Sequence, residues 1–172
     1  VIPLNNNDIL TRLRYALDIK DIEMVEIFAL GGIETTKAEV QDMLSKTKNS
    51  SDGEAPDEEY IKMIDNTTLE SFLNGCVTLK RGSQEETPET IKNQFLMTAD
   101  NRNVNNILLK KMKIALSLTS EEMIDILSDV GVTVSKSELS AVLRKEGHRN
   151  YKECGDRYAR NFLKGLANIY RA

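Results

Sequence analysis

Three residues close together near the C-terminus, His148, Cys154 and Asp156, are of the types that make a thiol nucleophile, its base and an orienting acid. A cysteine becomes thiolate at neutral pH only beside a base or in a positive field, and the surrounding arginines could supply that field. The constellation is thin. His148 is the single histidine of the chain, and no oxyanion motif accompanies it. Cys154 stands directly before Gly155 and Asp156, as a small packed residue in a helix connection would. One His with two separated cysteines, Cys76 and Cys154, makes no zinc spacing, and neither GxxxxGK[ST] nor GxGxxG occurs. No catalytic residue, metal ligand or cofactor is expected.

The basic residues of the same region carry a stronger signal. Residues 143–172 hold Arg144, Lys145, Arg149, Lys152, Arg157, Arg160, Lys164 and Arg171 against Glu146, Glu153 and Asp156, with His148, Tyr151 and Tyr158 interleaved. Arginines among aromatics suit RNA, single-stranded nucleic acid or a phosphate ligand. Arg157, Arg160 and Lys164 fall at i, i+3 and i+7, so one helix carries them on one stripe, with Arg149 and Lys152 flanking the preceding turn. These five are the candidate anion-binding residues. The competing reading is a solvated face attracted to the rest of the chain. Residues 1–86 hold nine Lys/Arg against seventeen Asp/Glu, whereas residues 87–172 hold fourteen against ten. Sequence-specific DNA reading is disfavoured: a helix starting Lys37-Ala38-Glu39-Val40-Gln41-Asp42 approaches phosphates poorly, and its counterpart from Lys136 is nearly neutral.

The elements that must position these residues come from a duplication. Residues 7–46 align without a gap on residues 106–145 at a shift of 99, with identities that include Asn7/Asn106, Met24/Met123, Ile27/Ile126, Gly32/Gly131 and Glu39/Glu138. A second block, Phe72-Leu73-Asn74-Gly75 against Phe162-Leu163-Lys164-Gly165, matches at a shift of 90. The first copy therefore has extra residues between the blocks, and its polar run 49–57 supplies them as a solvated loop.

Each copy reads as four helices. Apolar residues at helical spacing give helix one at roughly 7–18 and 105–117. Helix two follows at about 22–30 and 120–129, opened in the second copy by a Thr119–Glu122 capping box and stopped by Gly31-Gly32 or Gly131. Helix three, at about 37–46 and 136–145, carries a capping box in both copies, Thr36 to Glu39 and Ser135 to Glu138. Helix four spans about 67–81 and 156–170, with Thr67 to Glu70 and Asp156 as its expected caps. Gly75 and Gly165 sit inside its apolar stripe, where glycine costs about 1 kcal/mol against alanine, so a close helix crossing is expected at each. Thr87-Pro88 with Ile91, Phe95 and Leu96 suggests a short bridging helix between the copies.

The run Asn105-Asn106-Ile107-Leu108-Leu109-Lys110-Lys111-Met112-Lys113-Ile114-Ala115 resembles a signature of the bacterial YehS-like family. So does Tyr151-Lys152-Glu153-Cys154-Gly155-Asp156 followed by Phe162-Leu163-Lys164-Gly165-Leu166. That family is a tandem domain of unknown function, and the resemblance covers nearly the whole chain. The chain departs from it by a longer acidic loop at 49–59 and a longer linker at 82–103. The resemblance implies a cytoplasmic, duplicated, all-helical protein and supplies no activity, cofactor or catalytic residue.

The composition agrees with the periodicity. Aromatics are 5% with no Trp, so aliphatic and Met side chains must fill the core, and no uncharged apolar run approaches the ~18 residues of a membrane span. Unpaired cysteines and a start, Val1–Asn5, without a charged or apolar leader pattern point to the cytoplasm. The expected fold is all-α, a tandem duplication of a four-helix unit forming a bundle with pseudo-two-fold symmetry. Its parts are a first repeat at 1–82, a linker at 83–103 and a second repeat at 104–172. The expected function is a non-enzymatic interaction module with an unidentified protein partner, homodimerisation left open. The alternative is weak RNA or polyanion binding through the basic C-terminal half.

Overall fold

Thr36 and Ser135 start helix three at matched positions in the two copies, and matched left-handed residues follow helices one and two in both. The computed structural model describes residues 4–47, 60–81, 95–98 and 101–171. Within these lie helices α1 (Asn6–Ala16), α2 (Asp21–Leu30), α3 (Lys37–Leu44), α4 (Asn66–Arg81), α5 (Val104–Ala115), α6 (Ser120–Ser128), α7 (Lys136–Leu143) and α8 (Asp156–Tyr170). Among the described residues, β pairing amounts to one isolated bridge, Lys46 to Tyr60. The polar loop and most of the expected bridging helix lie outside them. Phe95 and Leu96, the described end of that expected helix, are not helical.

The ends of the first two helices repeat bond for bond. After α1, Asp18 takes φ 51° and Ile19 N donates to Arg14 O at 3.0 Å; after α5, Ser117 takes φ 53° and Leu118 N donates to Lys113 O at 2.9 Å. After α2 and α6 the left-handed residues are Gly32 (φ 97°) and Gly131 (φ 84°), a conformation glycine adopts without a Cβ penalty.

The caps differ in part from expectation. Thr119 and Glu122 form the full reciprocal box, whereas Thr36 and Ser135 make only the hydroxyl half, each accepting from the amide three residues on at 3.1 Å. The Glu39 carboxylate turns to Lys62 Nζ at 2.9 Å. Helix α4 is capped by Asp65, which accepts from Thr68 N at 2.8 Å, and not by a Thr67–Glu70 box, because Glu70 points into the protein. Gly155 rather than Asp156 occupies the N-cap of α8; Asp156 is the first helical residue, and its carboxylate is drawn to Leu4 N and Asn105 instead.

Both copies contribute to one apolar core. Leu10, Leu13, Met24, Phe28, Val40, Leu69 and Phe72 are fully buried, and so are their counterparts Leu109, Met112, Met123, Leu127, Leu139, Ala159 and Phe162. Within each copy, helix four crosses helix two at a glycine. A Cβ on Gly75 would overlap the Ile27 carbonyl, and one on Gly165 would come within 2.5 Å of Ile126 Cγ2 and 2.6 Å of its carbonyl oxygen. Gly31 adds a second close approach in the first copy, against the Ser71 carbonyl. Between copies the pairing is reciprocal: α1 packs along α8 and α5 along α4. This exchange generates the pseudo-two-fold arrangement and two inter-repeat seams.

Candidate functional site

Two buried asparagines hold the connections that lead into helix four. Asn7 donates to Met43 O (2.9 Å) and Lys62 O (2.8 Å) and accepts from Ile64 N (3.0 Å). Asn106 donates to Val142 O (2.9 Å) and Lys152 O (2.8 Å) and accepts from Cys154 N (2.8 Å). A buried amide that satisfies three backbone groups fixes a loop which otherwise has no ladder partner. The Asn7/Asn106 identity was visible in the sequence, but the clamp needs groups from three separate segments, which the alignment does not bring together.

The second clamp decides the chemistry of Cys154. Its amide is tied to Asn106 and its side chain is buried, which pushes the thiol up to about 12. Cys76 is buried and pushed up to about 12 as well. Both thiols are protonated at neutral pH. His148 accepts from Asn150 N at 3.0 Å through Nδ1, with its Nε2 3.4 Å from Arg144, so it serves its own turn. Asp156 is engaged by Leu4 and Asn105. The three residues do not assemble a thiol–imidazole pair. Among the described residues no three His, Cys, Asp or Glu side chains group to hold a metal, and no helix is long and apolar enough to cross a membrane.

The seam between α4 and α5 is closed and internally paired. Glu70, 1% exposed, accepts from Leu96 N (2.6 Å) and Met97 N (2.9 Å), so segment 95–98 lies over it. Lys111 Nζ stands 3.7 Å from the Glu70 carboxylate and donates to Asn74 Oδ1 at 2.5 Å. Burial holds the Lys111 ammonium below its ordinary 10.5, while the charge of Glu70 opposes that shift. At the mouth of this seam Asn66 donates to Thr98 O (2.8 Å) and Asn101 Oδ1 (2.7 Å).

The seam between α1 and α8 is built the same way and filled differently. Leu4 N donates to Asp156 Oδ2 at 3.1 Å at one end. At the other, Arg171 donates to Tyr15 O (3.0 Å) and Asp18 Oδ1 (3.1 Å) and lies 4.1 Å over the Tyr15 ring. The helices therefore run side by side in parallel. The two internal shifts place Arg12, Arg160 and Lys164 where the other seam has Lys111, Glu70 and Asn74. Arg12 and Lys164 are exposed and Arg160 is partly so.

Of the five predicted anion-binding residues, three share a helix face. At 3.6 residues per turn, Arg157 and Lys164 lie within about 20° of each other and about 180° from buried Leu166. Arg160 stands about 60° round, on the side of Asp156 and Arg171 that meets α1. Arg149 and Lys152 are exposed in the α7–α8 connection, which is tied back by Lys152 N to Ala141 O at 3.0 Å, so they belong to the approach to α8 and not to its stripe. Among the described residues, Arg149, Lys152, Arg157 and Lys164 make no ion pair. Arg12, in the acidic first half, was not singled out in the sequence. Its helix lies along α8 through the exchange of helices between copies.

A family profile described as "Protein of unknown function (DUF1456)" matches residues 6–82 and again 105–172. The chain is 37% identical over 162 residues to a protein of Escherichia coli (strain K12) described as "Uncharacterized protein YehS", covering 94% of each chain. No solved structure matches.

Proposed function

The chain belongs to the DUF1456 family, and we propose that it is a non-enzymatic interaction module whose contact surface is the basic face of α8, with a polyanion such as RNA as partner. The observation that carries this reading is the Arg157–Arg160–Lys164 stripe. Its outermost members, Arg157 and Lys164, lie opposite the buried face of α8 and have no acidic partner among the described residues. Phosphate contacts of this kind bind without reading sequence and weaken steeply as salt rises. The non-enzymatic part rests on the two protonated, buried thiols and on His148 being bound to its own turn.

Retention of the purified protein on heparin and on immobilised single-stranded RNA, across a salt gradient, tests the reading. Retention at low salt that disappears on reversing the charge at Arg157, Arg160 and Lys164 is the expected result. Retention untouched by that triple reversal, or none at low salt, returns the stripe to a solvated helix face.

A further inference from the structure

The connection into helix four borders a cavity in the first repeat, and the second repeat carries a large side chain at the corresponding place. The cavity, of about 290 Å3, lies between the α2–α3 connection, α3 and the start of α4. Ile33, Met43 and Ile64 contribute to its apolar lining, and Thr35, Glu39 and Thr68 to its polar lining. The Asn7 and Asn106 clamps fix what matches this lining in the second repeat, because they pair Met43 with Val142, Lys62 with Lys152 and Ile64 with Cys154. Helices α4 and α8 start at matching positions, so Thr68 corresponds to Tyr158; the matching starts of α3 and α7 pair Glu39 with Glu138 and Thr35 with Val134. Tyr158 packs against the core with its hydroxyl buried, and burial, Cys154 and Glu138 together push that hydroxyl up to about 12. Its neighbours are thus the counterparts of Ile64 and Glu39. The tyrosine ring takes up in the second repeat the space that the smaller Thr68 leaves in the first.

Two hydroxyls complement each other across the repeats. Thr35 Oγ1 is buried without a hydrogen-bond partner among the described residues, and so is the Tyr158 hydroxyl. The buried Val134 stands in the second repeat where Thr35 stands in the first, and it has nothing to offer a phenol. A phenol in the first cavity would meet Thr35, which both donates and accepts, and a buried polar group is costly until it is paired. Thr68 is already engaged: its hydroxyl and amide hold the Asp65 carboxylate below its ordinary range. At the rim Glu39 accepts from Lys62 at 2.9 Å, whereas the exposed Glu34 and Asp65 make no ion pair among the described residues. An acidic rim favours a cationic tail. The space is ample for one ring, since a cavity of roughly 150 Å3 holds benzene. The chain does not supply that ring itself. Its five tyrosines and four phenylalanines all lie in described segments, and none lines the cavity.

We infer that this cavity is a binding site for a small phenol carrying a cationic amine, in which the ring takes the place held by Tyr158 in the second repeat, the hydroxyl bonds to Thr35 and the ammonium meets the acidic rim. The site lies in the acidic repeat and uses no residue of the α8 stripe, so either reading stands or falls without the other.

Tyramine, phenethylamine and 4-hydroxyphenylacetate, titrated into protein with methyl-labelled methionine, test the assignment by NMR. Met43 and Met63 line the cavity and the other four of the six methionines do not, so ring-current shifts confined to these two locate the ligand. Saturable shifts of both with tyramine are expected. Phenethylamine, which lacks the hydroxyl, binds about fivefold more weakly; Thr35→Val weakens tyramine by the same factor and leaves phenethylamine unchanged. 4-Hydroxyphenylacetate, which brings a carboxylate to the acidic rim, binds about fivefold more weakly than tyramine. Thr68→Tyr, which copies the second repeat, abolishes the shifts with all three, and thermal melts verify that both variants fold. No saturable shift with any probe, shifts spread over all six methionines, or shifts that survive Thr68→Tyr overturn the site. A Thr35→Val loss shared equally by phenethylamine overturns the hydroxyl contact, and equal binding of tyramine and 4-hydroxyphenylacetate overturns the cationic ligand.

Discussion

The α4–α5 and α1–α8 seams share helix direction and the reciprocal exchange between copies, yet one buries a Lys111–Glu70 pair under segment 95–98 and the other carries the exposed Arg12 and Lys164 and the partly exposed Arg160 at the corresponding positions. Substitution at residue 70 against residue 160 accounts for most of that difference. A carboxylate can accept from backbone amides, so Glu70 draws in Leu96 and Met97 and buries itself with Lys111. A guanidinium at position 160 has only donors to offer, and a chain passing over it could not satisfy its amides there.

The largest expected effect separates the seams by stability. Glu70→Ala strands Lys111 and two amides in a buried site and should cost about 3–5 kcal/mol in urea melts, whereas Arg160→Ala should cost at most about 1 kcal/mol. Equal costs would mean the seams are energetically alike and the division of labour is wrong.

A smaller difference is expected at the intra-repeat crossings. Gly75→Ala drives a methyl group into the Ile27 backbone, with Gly31 fixing the same pair of helices closely, while Gly165→Ala first meets a side-chain methyl of Ile126. After about 1 kcal/mol of helix propensity is regained, net losses of about 2 kcal/mol and about 1 kcal/mol follow, in that order. The reverse order in thermal melts would show that the second crossing is the tighter.

The smallest effect completes a missing half-cap. In α2 Lys20 occupies the N-cap, and its amide donates to Glu23 at 3.1 Å, but an ammonium cannot return a hydrogen bond as the Thr119 hydroxyl does in α6. Lys20→Thr should therefore stabilise by about 0.5–1 kcal/mol. No gain would mean that the α2 start frays whatever its cap.

Much of this architecture was legible before any coordinates. The shift of 99 located helices one to three in both copies, and Gly32 and Gly131 marked their breaks. Structure and sequence pattern part where a side chain has two uses. Glu70 and Asp156 have the chemistry of caps, and capping rules place them at helix starts; both were diverted to partners from the other half of the chain. The buried asparagines were visible as an identity and silent as a function, because their acceptors come from loops with no recognisable pattern.

By itself, the sequence determined the repeat, the helices and the basic stripe on α8, because periodicity, turn chemistry and charge spacing are properties of short segments. Only the tertiary structure decided that helix one of each copy packs on helix four of the other, and hence that α1 from the acidic half lies along the basic α8. The physical reason is that each amphipathic helix specifies how much apolar surface it must bury but not against which of two near-identical partners. That choice is made by contacts more than fifty residues apart, such as Leu4 with Asp156 and Arg171 with Tyr15.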